Sequence, residues 1–250
     1  MSAGYEEILI IAAIFFFASF IHGSIGIGFP LISTPLLVLF NDMESAILLT
    51  LIPTVLINIV SIKSEGSFLL VLRRYFPLAV CTMLGSVIGT EVLISSNTDI
   101  FKILLAVAII IYLLADSKNI HMRWVADFPG LSMVVFGISA GLLGGLTNVM
   151  APLLVIYSLE SRHSRAELIQ AANLCFLLGK LVQLSTFSIH HKIAFNELAI
   201  SVLMLIVVAC SLYLAIRFGK KTVTKLHKNI LKGLLFVLAI MLCLQAIIQT

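Results

Sequence analysis

The chain has 250 residues, of which 60% are hydrophobic and only 11% charged, with a formal net charge of +4 and a mean hydropathy of +1.15. Soluble domains carry roughly 25% charged residues, so this composition excludes a water-soluble globule and predicts an all-α polytopic membrane protein. The modest excess of Lys and Arg is accounted for by membrane topology and anionic lipid, which leaves no nucleic-acid partner implied.

Met1 to Glu7 lacks the basic region of a signal peptide, so the apolar stretch that follows is expected to belong to the mature fold. That stretch, 7–40, is interrupted by Gly23-Ser-Ile-Gly-Ile-Gly-Phe-Pro30. Three uninterrupted segments follow, 45–62, 76–94 and 100–115, each of the length and purity of a membrane crossing. A short polar linker, 117–129, leads into a second broken stretch, 130–159, which carries Gly141-Leu-Leu-Gly-Gly-Leu-Thr-Asn148. Three more crossings are predicted at 166–189, 195–216 and 229–248. As a straight helix at ~1.5 Å per residue, either broken stretch would measure about 45 to 50 Å against a hydrocarbon core of about 30 Å. Each must tilt, kink or fold back.

Basic residues choose among these. No Lys or Arg precedes Lys63, and the later ones group at Lys63, Arg73 and Arg74; Lys118 and Arg123; Arg162 and Arg165; and Arg217, Lys220, Lys221, Lys225, Lys228 and Lys232. If the second broken stretch enters and leaves on one side, all of them fall on that side, leaving Lys102 and Lys192 opposite and Lys180 inside the membrane; this satisfies the positive-inside rule with the basic loops cytoplasmic. Internal matches, Pro35-Leu-Leu-Val38 with Pro152-Leu-Leu-Val155 and Phe101 to Leu105 with Leu231 to Leu235, divide the chain into repeats 1–116 and 130–250. A re-entrant hairpin plus three crossings per repeat is an odd number of crossings, so the second copy is inverted and both termini lie outside. The expected location is an inner or plasma membrane, with lipid around the protein.

A helix broken within hydrocarbon leaves backbone groups that must find protein, water or a ligand. Pro30 suits the first turn of a new half-helix, Ser33 and Thr34 offer hydroxyls just beyond it, and Thr147 and Asn148 are capping types at the second break. Amino-terminal half-helix ends aim N–H donors and a positive dipole at the centre, which favours an anion. Thr50, Pro53, Thr54, Asn58 and Ser61 share one face of the first crossing, and Gln170, Asn173, Lys180 and Gln183 one face of its counterpart. The candidate substrate-binding residues are therefore Gly26, Gly28, Pro30, Ser33, Thr34, Thr50, Thr54, Asn58, Gly144, Gly145, Thr147, Asn148, Gln170, Asn173 and Lys180. Lys180, an ionisable group within an apolar helix, either meets the substrate or snorkels outward. His22 either carries a coupled proton or is a hydrogen-bonded structural group. The small-residue runs 85–89 and 166–172 are read as contacts between helices or protomers, leaving a homodimer open.

Cys81, Cys175, Cys210 and Cys243 lie apart in apolar runs, and no metal-ligand cluster, Ser/His/Asp set or paired carboxylates stand at useful spacing. No cofactor, no metal and no enzyme activity are expected. The alternatives that remain are an alternating-access transporter of a small anion and a non-transporting membrane scaffold or assembly factor. At the Gly-x-x-Gly-x-Gly-x-Pro start with Pro35 downstream, its echo from Gly141 to Pro152, and Ala166 to Asn173, the sequence resembles the sulfite exporter TauE/SafE family of membrane permeases, over nearly its whole length. The resemblance implies a secondary transporter for sulfite, an organosulfonate such as sulfoacetate, or a small carboxylate.

Overall fold

The structure is a computed structural model that describes residues 4–96, 99–117, 122–193, 195–219 and 225–249. Lys118, Lys220 and Lys221, and with them part of the linker 117–129, lie outside the described residues, and the side chains of Arg123, Lys225 and Lys228 are likewise not described. Among the described residues the chain is all α: α1 (Tyr5–Ile25), α2 (Phe29–Val38), α3 (Met43–Glu65), α4 (Phe68–Ser95), α5 (Asp99–Ser117), α6 (Arg123–Asp127), α7 (Pro129–Thr147), α8 (Ala151–Glu160), α9 (Arg165–Ile189), α10 (Phe195–Leu214, ending in a π-turn, Ala215–Gly219) and α11 (Lys225–Gln249).

Six of these are long and apolar enough to cross a membrane: α1, α3, α4, α7, α9 and α10 with its π-turn. Apolar side chains such as Phe16, Phe17, Ile110, Ile206 and Phe236 face outward, as a lipid solvent requires. This is a multi-pass membrane protein. Four of the six crossings expected from sequence coincide with these spans. The described apolar parts of α5 and α11, Ile100–Leu114 and Lys232–Leu244, are shorter. The other two spans are instead the long arms of the broken stretches, α1 with 21 residues and α7 with 19, each followed by a 10-residue arm. A uniform hydrophobic count does not reveal that a break divides its stretch two to one.

Local chemistry sets the helix ends. The Asp42 side chain accepts from Ser45 N at 2.8 Å to start α3, and Ser164 and Glu167 form a reciprocal capping box at the start of α9. The expected loop before 76 is corrected: α4 begins at Phe68 and runs through Pro77. The charge of Arg74 in this early part is met by Glu167 at 2.5 Å, so basic residues that read as loop are accommodated on a helix.

The helices pair in a pattern that survives exchange of α1–α5 for α7–α11. α4 lies against α7 and α9, and α10 lies against α1 and α3; α3 packs on α9 and α5 on α11. One constant sequence spacing separates Gly26 from Asn148, Pro30 from Pro152, Asp42 from Ser164, Asn58 from Lys180 and Ser61 from Gln183. Pro30 and Pro152 both occupy the first turn of a short arm, whereas Pro35 lies inside α2. Gln170 at the start of α9 donates to the Glu65 carbonyl at the end of α3 at 2.8 Å, so these central helices run antiparallel.

The α4–α7 seam brings two backbones close together. A Cβ on Gly85 would collide with the Ile138 carbonyl, one on Gly89 with the Leu142 carbonyl, and one on Gly141 with the Thr82 carbonyl. The 85–89 run is therefore a helix-packing stripe, and Gly141 and Gly145 are its partners on a continuous α7 rather than the site of the break.

Candidate functional site

Both breaks are built alike. At the first, α1 ends in Gly26, whose φ of 99° closes a left-handed cap, with its N–H donating to the His22 carbonyl at 2.6 Å. Gly28, at φ 123°, then releases the chain into α2 with Pro30 in its first turn. L-residues rarely take either conformation. At the second, Asn148 supplies the left-handed cap at φ 67°, its N–H donating to the Gly144 carbonyl at 2.8 Å, and Pro152 opens α8. Asn148 therefore closes α7 rather than opening α8, and the Thr147 hydroxyl bonds back to the Leu143 carbonyl at 2.7 Å.

Backbone groups freed at the first break are taken by protein. Phe29 N–H donates to His22 Nδ1 at 3.1 Å, and His22 Nε2 lies 2.9 Å from Ser61 Oγ. An Nδ1 that accepts an amide places the neutral ring's proton on Nε2, pointed at Ser61. Asn173 Nδ2 donates to the Gly26 carbonyl at 2.8 Å and also to Ile169 O at 2.7 Å. His22 thus caps α2. Replacing it by Ala strands a buried N–H, so His22→Ala is expected to cost about 1–3 kcal/mol in thermal unfolding. His22→Asn, whose amide oxygen can stand near the position of Nδ1, is expected to recover part of that loss; equal unfolding temperatures would contradict the capping role. A cavity of about 360 Å³ opens beside this break, lined in part by Gly23, Gly26, Ser61, Glu65 and Arg165, and Arg165 Nη2 reaches the Ile25 carbonyl at 3.3 Å.

The second break holds the buried Lys180. Asn148 Nδ2 donates to Thr34 Oγ1 on α2 and to Thr50 Oγ1 on α3, both at 2.7 Å. Lys180 is 1% exposed, which excludes a snorkelling side chain. Its ammonium donates to Gln183 Oε1, and Gln183 Nε2 donates to the Gly145 carbonyl at 3.2 Å. Among the described residues no carboxylate pairs with Lys180, a lone cation held by a neutral amide beside a helix break. Ser86 Oγ bonds the Gly179 carbonyl at 3.3 Å on the same side.

The candidates therefore divide. His22, Gly26, Gly28, Pro30 and Asn173 gather at the first break; Thr34, Thr50, Gly144, Gly145, Thr147, Asn148 and Lys180 gather at the second. Ser33 and Thr54 bond carbonyls of their own helices, at 2.8 and 2.6 Å, and Gln170 sits at the α3–α9 junction. Asn58, the positional counterpart of Lys180, is 1% exposed and its Nδ2 has no partner. The two tips do not meet at one point. Ser61 serves one and Thr50 the other, about 16 Å apart along α3 at 1.5 Å per residue, and α2 touches both, through Phe29 and Thr34. Thr90, 0% exposed with an unpartnered hydroxyl, was not singled out from sequence, where one Thr after the Gly85/Gly89 stripe carries no signal.

Comparison with known proteins adds the family. No curated protein matches the chain. No solved structure matches it either. The family model of the sulfite exporter TauE/SafE matches residues 11–246, and with nearly the whole chain covered, the protein belongs to the sulfite exporter TauE/SafE family.

Proposed function

We propose that this protein is a secondary transporter that moves a small anion across the cell membrane by alternating access, coupled to a proton. Sulfite, an organosulfonate and a small carboxylate are the candidate substrates. The observation that carries this reading is Lys180: a buried cation with only an amide for company is costly unless an opposite charge visits it. The second break, with Asn148, Thr34 and Thr50, is where that visitor is proposed to bind.

Two repeats, 1–116 and 130–250, inverted with respect to each other, are supported by the constant spacing of equivalent residues and by the antiparallel course of α3 and α9. Hairpin folding of the broken stretches is supported at both: Glu6 and Glu7 line one cavity with Phe40 and Asn41, and Met122 N–H, ahead of α7, donates to the Glu160 carboxylate at the end of α8 at 2.6 Å. With basic loops in the cytoplasm, both termini then lie outside. Cysteines placed at exposed Tyr5 and exposed Arg73 test the orientation: with native cysteines replaced, an impermeant reagent is expected to label the first and miss the second.

His22 gives proton coupling a structural route. A proton taken by Nδ1 would displace the Phe29 amide and uncap α2, so protonation and opening of the first break would be one event. The test is reconstitution: liposomes containing the protein are expected to take up labelled sulfite or a related small acid, faster under an imposed pH gradient. Absence of flux for every small anion, with the fold intact, would favour the scaffold reading.

A further inference from the structure

We infer that the second break selects a singly charged oxyanion that still carries one hydrogen, received by Asn148 Oδ1. This rests on the transport reading above and narrows its substrate. Thr50 Oγ1 spends its hydrogen on the Ala46 and Ile47 carbonyls, at 3.0 and 2.9 Å, so towards Asn148 it can only accept. That fixes the amide, with Nδ2 turned to the threonines and Oδ1 turned away. Asn148 is 1% exposed, and Oδ1 has no donor. A buried acceptor left open in a folded core calls for a hydrogen from something else.

The rest of the break sets the charge. Lys180, tied through Gln183 to the carbonyl of Gly145, supplies one positive charge. Among the described residues α2, α3, α4 and α7 add none at the site: they contribute Thr34, Thr50, Ser86, Thr90 and, from α7, backbone. Glu91, farther along α4, is paired with His190 at 3.0 Å, and Lys102 on α5 has an interaction of its own. His22 belongs to the other break. One cation neutralises one negative charge, and a second would be buried uncompensated. A fully deprotonated oxyanion would also set lone pairs against Oδ1, whereas an O–H would donate to it. Hydrogensulfite meets both conditions; the sulfite dianion, sulfate and doubly ionised sulfoacetate do not.

The test is flux into liposomes across a pH series that titrates hydrogensulfite to sulfite, normalised at each pH to methanesulfonate, a monoanion of fixed charge without such a hydrogen. The normalisation removes any titration of the protein itself. The ratio is expected to follow the hydrogensulfite fraction, with sulfate not transported. Asn148→Gly keeps the left-handed backbone and removes the amide; it is expected to lower the ratio at acidic pH about tenfold, the worth of one lost hydrogen bond. A ratio that is flat with pH, or that rises with the dianion, overturns the inference while leaving anion transport standing. Flux of no anion at all overturns both. The wild-type profile decides the question by itself should the variant not fold.

Discussion

Lys180→Met is expected to weaken anion binding about 100-fold and at the same time to make the protein more resistant to heat. Methionine fills nearly the same volume without a charge, so the α9 packing is kept. What is lost is a charge-assisted contact to the visiting anion, worth about 3 kcal/mol at the upper end, or about 100-fold in affinity. What is gained is relief from holding an ammonium in the membrane interior, where insertion of Lys costs about 2.5–3.5 kcal/mol. Each kcal/mol recovered raises the melting temperature by about 2–4 °C for a chain of this size. Thermal unfolding with and without sulfite reads both quantities in one experiment. A variant that is less stable but still binds would show that Lys180 holds the fold together, and the proposed site would lose its charge.

The opposite signature is expected at the α4–α7 seam. Gly141→Ala adds a single methyl, but it would be driven into the Thr82 backbone carbonyl, which cannot swing aside as a side chain can. The two helices must separate along the entire Gly85/Gly89 and Gly141/Gly145 stripe. The expected loss is about 3 kcal/mol or more, at the top of the usual range for overpacking, seen as a fall in melting temperature and in monodisperse yield. Gly130→Ala is the control. Its Cβ would meet nothing within 4 Å, and alanine is the better helix former by about 1 kcal/mol. Similar behaviour of the two variants would mean that the seam is not closely packed.

How much of this was legible in the residues follows from what each signal reports. Length and hydropathy locate apolar stretches well, and they located these; they say nothing of where within a stretch the backbone turns. Glycine is ambiguous in lipid because it serves two purposes. At Gly26 and Gly28 it frees the chain for positive φ, whereas at Gly141 and Gly145 it lets another helix approach, and the two patterns look alike on the page. The second break instead uses Asn148, one of the few L-residues that tolerates a left-handed cap. The polar faces of α3 and α9 were readable because the helical period is fixed, and their buried residues proved to attend both breaks. Their partners were not readable: that Asn148 donates to Thr34 and Thr50, or that Asn173 takes the Gly26 carbonyl, depends on three-dimensional neighbours far apart in sequence.

The short arm α2 deserves a mechanical reading. Ten residues of helix make a stiff strut, held at its base by His22 and again midway along it by the Thr34–Asn148 bond. A strut cannot yield at one end while staying put at the other, so tilting it towards either membrane surface must strain whichever fastening it leaves. The two fractures in this protein would then work like the ends of a seesaw, and substances that loosen one should tighten the other.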